Sequence, residues 1–152
     1  MGIMKALLQR VSRAKVEVDG RVTGEIGTGL LVFLCAVKGD EEQDLDHLVK
    51  KVLALRIFGD EQGKMNRSVM DIKGELLVVS QFTLAATTRK GNRPSFDNAE
   101  SPERAKAFYD TFIRNLRETG LLVRTGEFAA SMAVALINDG PVTVLVDSRE
   151  GS

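Results

Sequence analysis

Two short segments carry residue types that a hydrophobic core does not require. Ser80-Gln81-Phe82-Thr83-Leu84 ends an apolar run in hydroxyl and amide groups, and Asn138-Asp139-Gly140-Pro141-Val142-Thr143 splits two apolar runs with a Gly-Pro pair. A serine or threonine hydroxyl attacks a carbonyl only when a base or the substrate takes its proton. The one histidine, His47, sits among polar neighbours of an expected helix and reads as a solvated surface residue, so a conventional triad is not expected. Distant carboxylates remain as candidate bases. Backbone N–H groups at Gln81, Phe82 and Thr83 suit an oxyanion hole instead, often the dominant source of rate enhancement in acyl chemistry. The plain alternative is that Ser80 to Thr83 is only a strand end. Gly140-Pro141 likewise reads as a hairpin turn into a strand, or as a cis peptide bond whose carbonyl oxygens recognise an ammonium group.

The elements that must position these segments follow from apolar spacing. Met4 to Val18 reads as a long first strand, Asp19-Gly20 as a turn, and Arg21 to Ile26 as its hairpin partner. Leu30 to Val37 is a nearly continuous apolar run and reads as a central strand. Asp40 is placed to cap a first helix over 41–56, with Gln43 completing a capping box and Leu45, Leu48, Val49 and Val52 forming its apolar stripe. Residues 59–63 are a turn-rich break, and Ser68 to Ile72 with Lys73-Gly74 reads as a short strand and turn before a strand over Glu75 to Phe82. Ser101 and Pro102 open a second helix whose stripe runs Ala105, Phe108, Tyr109, Phe112, Ile113 and Leu116 and stops at Gly120. Leu121 to Thr125, Ala130 to Asn138 and Val142 to Asp147 supply closing strands. The expected class is α+β, a curled, largely antiparallel mixed sheet with two main helices on one face. Residues 1–147 form a single expected domain, 148–152 a polar tail, and the strand edges invite dimer formation.

Composition narrows the function. With 21 Lys plus Arg against 21 Asp plus Glu, the formal net charge is zero, which argues against broad electrostatic capture of nucleic acid. A local basic loop remains, Thr87 to Pro94, holding Arg89, Lys90 and Arg93; read alone it is a nucleic-acid contact or a merely solvated loop. Cys35 is the only cysteine and is expected to be buried, so neither an internal disulfide nor a thiolate metal cluster is expected. The acidic run Asp40-Glu41-Glu42 with Asp44 complements a helix start and needs no metal. Neither a phosphate-cradling P-loop nor a dinucleotide fingerprint is present, since Gly24, Gly27 and Gly29 have the wrong spacing. The start lacks the plan of a signal peptide and no apolar stretch is long enough to span a bilayer, so a cytoplasmic location with no membrane contact is expected. No cofactor is expected.

Taken together and in order, the two segments resemble the signature motifs of the D-aminoacyl-tRNA deacylase family. Gln9-Arg10-Val11 and Gly91-Asn92-Arg93-Pro94-Ser95-Phe96 are similar to further family segments, and the resemblance spans the chain from the first strand to Asp147. It implies a cytosolic homodimer that hydrolyses the ester joining a D-amino acid to the tRNA 3′ end. It implies also that Gly140-Pro141 is cis and enters the partner's pocket, facing Ser80 to Leu84. There its carbonyls hold the substrate ammonium and leave no room for an L side chain. Glycyl-tRNA, with no side chain to exclude, is expected to pass. Gln81, Phe82 and Thr83 are the expected catalytic residues, either through backbone groups assisted by the terminal ribose hydroxyl or with Thr83 as a covalent nucleophile. Ser80, Gly140 and Pro141 are expected to bind substrate and select chirality. Arg10 either ties the Gly-Pro loop or is a surface strand residue, and Arg89, Lys90 and Arg93 are the residues expected to contact acceptor-end phosphates. Two other classes stay open: a non-catalytic dimeric binder of an RNA end or small amino compound, and a general small-ester hydrolase.

Overall fold

The computed structural model describes residues 3–149. Strands β1 (Lys5–Val18), β2 (Arg21–Ile26) and β3 (Gly29–Cys35) lead to helix α1 (Glu42–Ala54). A small hairpin follows, β4 (Phe58–Gly59) and β5 (Met65–Arg67), then β6 (Glu75–Ser80) and a 3₁₀ turn at Phe82–Ala85. Helix α2 (Pro102–Arg117), β7 (Val123–Thr125) and β8 (Ala133–Asp147) complete the order. The main sheet runs β2-β1-β3-β6-β7, with β8 on the other side of β1. The pairings of β1 with β2, β3 and β8 are antiparallel, whereas β3-β6 and β6-β7 are parallel. This is the mixed, largely antiparallel α+β architecture expected.

Strand β1 organises the core because it changes face along its length. Met4, Ala6 and Leu8 point to the helix side, where Leu30, Leu76 and Val78 meet Leu45, Leu48 and Val52 of α1 and Phe112 and Leu116 of α2. Val11, Ala14, Val16 and Val18 instead join Leu31, Leu77 and Val79 in a second core on the opposite face. Strict alternation would keep residues 8 and 14 on one face, so the switch requires an irregularity between them. The β1-β8 register supplies it, shifting between Gln9 and Val11 and again between Val11 and Arg13. The sheet then curls until β2 crosses β7 closely: a Cβ on Gly24 would lie 2.5 Å from the Thr125 carbonyl oxygen. Both helices thus cover one face, with Tyr109 pinning α2 by donating its hydroxyl to the Val78 carbonyl at 2.8 Å.

Several local expectations need correction. Asp40 does not cap α1; Glu41 stands at the cap, and its N–H donates to Asp44 Oδ2 at 2.8 Å. The Asp40 carboxylate turns back to accept the Val37 N–H at 2.7 Å and is 1% exposed. Gly39, at φ 92, allows that reversal. His47 is half-buried rather than solvated, and its Nε2 is buried without a partner. Ser68 to Ile72 is not a strand, because Ser68 and Asp71 bond each other's backbone N–H and hold the segment in turns. The two strands expected over 130–138 and 142–147 are one strand, β8, since β1 is long enough to pair both halves. Ser148 belongs to the sheet end, donating its N–H to Met4 O at 2.9 Å and its hydroxyl to Asp44 Oδ1 at 2.8 Å. Residues 150–152 of the expected tail lie outside the described residues. Cys35 is buried as expected, and burial pushes its thiol up to about 11.

Burial also raises the Asp40 carboxyl to about 6, with the nearby carboxylates of Asp44, Glu100 and Asp147 adding to the effect. The folded chain therefore keeps a proton that the unfolded chain has released between about pH 4 and pH 6. Stability contributed by this group is full below that window and is lost as pH rises through it. Denaturant unfolding of the wild type and Asp40→Asn across this range should show the wild type losing on the order of 2 kcal/mol relative to the variant. A difference independent of pH would contradict the assignment.

Candidate active site

Strand β6 delivers Ser80 to the sheet's end, where it is the last rung of the parallel ladder with Leu34 of β3. The Gln81 N–H continues that ladder, donating to the Leu34 carbonyl at 2.8 Å. The chain then tightens into the 3₁₀ turn, closed by Leu84 N–H to Gln81 O at 3.3 Å and Ala86 N–H to Thr83 O at 3.1 Å. The first donors of a helical turn have no partner within it. Among the described residues, the N–H groups of Phe82 and Thr83 make no intramolecular hydrogen bond. The expected backbone trio therefore narrows to two available donors, since Gln81 is already committed to the sheet.

Side chains around the turn are arranged to frame it. The Gln81 amide donates to Thr83 Oγ1, which occupies the threonine hydroxyl with an acceptor role and offers it no base. Phe82 is 56% exposed, and its ring meets Phe96 edge-on at 5.2 Å. That contact docks the basic loop to the turn, and the loop is itself closed by paired bonds between Thr87 and Ser95. Arg89, Lys90 and Arg93 are exposed on it. Behind the turn, Cys35 Sγ lies 3.6 Å from the Phe82 carbonyl oxygen.

Ser80, Gln81 and Phe82 line a cavity of about 490 Å³ whose walls also include Glu100, Phe128, Met132 and Val134. Sequence reasoning missed Glu100, Phe128 and Met132. Met132 is in a segment that reads as strand, Phe128 in an unpatterned loop, and Glu100 just before the helix cap. Ala129, with φ 65, turns that loop so that Phe128 reaches α2, where its ring lies 5.7 Å from Tyr109. The Glu100 carboxylate is held at the wall by Arg104 Nε at 3.2 Å. No group of three or more potential metal ligands occurs among the described residues.

The second segment is built on the β1-β8 irregularity. Asn138 Oδ1 accepts the Val142 N–H at 2.7 Å and its amide donates to Thr143 Oγ1 at 2.9 Å, closing a tight bulge around Asp139, Gly140 and Pro141. The Gly140-Pro141 bond is cis, and all three residues are exposed. Arg10 is a tether rather than a free surface side chain: Nε donates to the Asp139 carbonyl and Nη1 to the Ile57 carbonyl, both at 2.8 Å. Within one chain the two segments stay apart. Ser80 aligns through Leu34 and Ala6 with Val146, three strands away, which is about 14 Å across the sheet. Gly140 lies further along β8, and neither Gly140 nor Pro141 lines the cavity at Ser80.

Gly140 is constrained by its surroundings. Its φ of +144 disfavours any side chain, and a Cβ there would lie 2.7 Å from Val142 Cγ2 and 3.0 Å from Arg10 Nη2. Gly140→Ala should lower the unfolding free energy by about 1–3 kcal/mol. A denaturation midpoint equal to wild type would show that the bulge adapts.

Comparison with known proteins converges on one family. The family model described as D-Tyr-tRNA(Tyr) deacylase matches residues 7–147. Proteins named D-aminoacyl-tRNA deacylase from Persephonella marina and Aquifex aeolicus are 61% and 57% identical, covering 96% and 97% of this chain and 99% of each relative. A solved structure described as c-Myc DNA Unwinding Element Binding Protein superposes with TM-score 0.89 at 46% identity, over 93% of this chain and 97% of that one. Another, a probable eukaryotic D-amino acid tRNA deacylase, has TM-score 0.81 at 18% identity, over 95% of this chain and 99% of that one, and supports the fold. A family model over residues 7–147 and relatives more than half identical over nearly the whole chain lead to one conclusion: the chain belongs to the D-aminoacyl-tRNA deacylase family, a family of hydrolases.

Proposed function

We propose that the protein is a cytoplasmic homodimer that hydrolyses D-aminoacyl-tRNA, with a chirality filter that crosses between subunits. The observation that carries this reading is the pair of unpartnered N–H groups of Phe82 and Thr83 in the turn that follows Ser80, of which Phe82 lines the 490 Å³ cavity and Thr83 comes next in the chain, outside the lining. They bind the ester carbonyl oxygen and stabilise the charge that develops on it. Water adds to the carbonyl carbon with the neighbouring ribose hydroxyl assisting. The C–O bond to the ribose then breaks, and the ribose oxygen takes a proton, releasing tRNA and free amino acid. Ser80 and Gln81 shape the floor of the pocket. Thr83 contributes its backbone; its hydroxyl accepts from Gln81 and has no base, which disfavours the covalent alternative.

Dimer formation is supported by two features. Strand β8 pairs β1 on one side only, and Ile137 and Leu145 on it are 46% and 51% exposed. Gly140 and Pro141 lie too far from their own cavity to serve it. In the dimer, Gly140 and Pro141 of the partner subunit close the pocket, their carbonyls accept from the substrate ammonium, and the bulge blocks the position an L side chain needs. Thousandfold rejection of the L ester corresponds to about 4 kcal/mol of differential transition-state binding. Glycyl-tRNA passes because it has no side chain at that position. Arg89, Lys90 and Arg93 approach acceptor-end phosphates.

The competing reading is binding of nucleic acid without turnover, prompted by the name of the structural relative at 46% identity. One experiment separates the two. Incubation with D-tyrosyl-, L-tyrosyl- and glycyl-tRNA should release tRNA rapidly from the D and glycyl esters and about a thousandfold more slowly from the L ester. Equal rates for D and L would defeat the filter, and no turnover of any ester would leave the binding reading. Thr83→Ala should retain turnover within about tenfold, because a lost nucleophile costs orders of magnitude more.

A further inference from the structure

Two clefts flank the proposed ester-binding site, and they differ in charge. One, of about 490 Å³, lies between α2 and the loop at Thr125 to Phe128 and includes Lys106, Arg114 and Arg117. Its cations are largely committed: Lys106 Nζ lies 2.8 Å from Asp110, Arg117 donates twice to the Val123 carbonyl, and Glu127 also lines the wall. The other, of about 290 Å³, begins where the 3₁₀ turn ends and is framed by Lys5 and Lys38, with Thr87 and Asn98. Among the described residues no carboxylate lines it. Lys38 is exposed, and Lys5 Nζ makes only a 3.5 Å contact to the Leu84 carbonyl. Asp147, opposite Lys5 in the β1-β8 register, forms no ion pair with it.

From Thr87 this cleft runs directly into the loop bearing Arg89, Lys90 and Arg93. Lys5, Lys38 and these three make five cations, none in an ion pair among the described residues, against two carboxylates in the segment 86–101, Asp97 and Glu100, the second already paired with Arg104. A chain of zero formal net charge thus concentrates unpaired positive charge on one side of the proposed site. An ester at the 3′ end of an RNA requires the preceding nucleotides to leave the pocket along the surface, and their phosphates favour the cleft free of carboxylates. The Thr87 hydroxyl and Asn98 amide are neutral groups of the kind that contact phosphate and sugar oxygens.

We infer that the Lys5–Lys38 cleft binds the backbone phosphates of the unpaired nucleotides preceding the esterified 3′ residue, and so sets the direction in which the RNA leaves the site. This rests on the deacylase reading above. The test compares D-tyrosyl-tRNA with 3′-O-D-tyrosyl-adenosine, which lacks those phosphates, in wild type, Lys5→Gln/Lys38→Gln and Lys106→Gln/Arg114→Gln. In the first variant the ratio of kcat/KM for the tRNA to that for the adenosine ester should fall roughly tenfold. The slope of log KM against log salt should shrink by about 1.4, or 0.7 for each of two single-strand phosphates. In the second variant the ratio should hold. Equal losses on both substrates, an unchanged ratio, or a loss confined to the Lys106/Arg114 variant would each overturn the inference. Absence of turnover of both esters by the wild type would instead remove the deacylase reading itself.

Discussion

The structure depends on a mismatch between β1 and β8. Fourteen residues of β1 face fifteen of β8, and the register slips twice around Val11. A regular pairing would hold β1 to one face and leave either the helix-side core or the second core without a wall. The slip lets one strand serve both, and of the two residues it leaves without a β8 partner, Arg10 and Ser12, the first becomes the tether for Gly140-Pro141. Packing and presentation of the bulge therefore have a common origin. Arg10 also reaches Ile57 beyond α1, so the bulge is braced against an element outside the main sheet.

The other half of the site is anchored differently. Ser80 and Gln81 are continuations of a parallel ladder buried on both faces, and the available N–H groups come immediately after the ladder stops. Their position is set by the Leu34 carbonyl and by turn geometry rather than by any long side chain with rotamer freedom. Such donors need little reorganisation when charge develops on a bound oxygen, which is the physical basis of preorganised electrostatic stabilisation. Phe82 against Phe96 extends the arrangement outward, so the basic loop packs on the turn.

Most of the fold was legible because apolar periodicity reports burial. The α2 stripe from Phe108 to Leu116 and the strand at 21–26 fall where their spacing places them, whereas the strand read over Glu75 to Phe82 stops at Ser80, where the 3₁₀ turn takes over. The misses share a cause, competition by side-chain hydrogen bonds that periodicity does not register. Asp40 turns to Val37 instead of capping, Ser68 and Asp71 convert an apolar-looking run into turns, and Asn138 substitutes its own oxygen for the ladder at Val142. For the candidate site, Ser80 to Thr83 and Gly140-Pro141 stood out as polar or conformationally special residues within strand patterns. Glu100, Phe128 and Met132 did not, because the cavity they line comes from the meeting of separate loops and helix α2. That Gln81 lacks a free N–H was likewise invisible, since its acceptor is distant in sequence.

The commitment of the proposed chemistry to main-chain atoms bears on how such a site withstands genetic change. Replacing Phe82 or Thr83 by any residue other than proline leaves an N–H in the same place, so long as the turn survives. Only proline deletes the donor. Random substitution is therefore filtered mainly through the packing that shapes the turn, which disperses vulnerability over the sheet beneath it. Drift at the surface of the pocket can then alter its lining while its electrophilic centre persists.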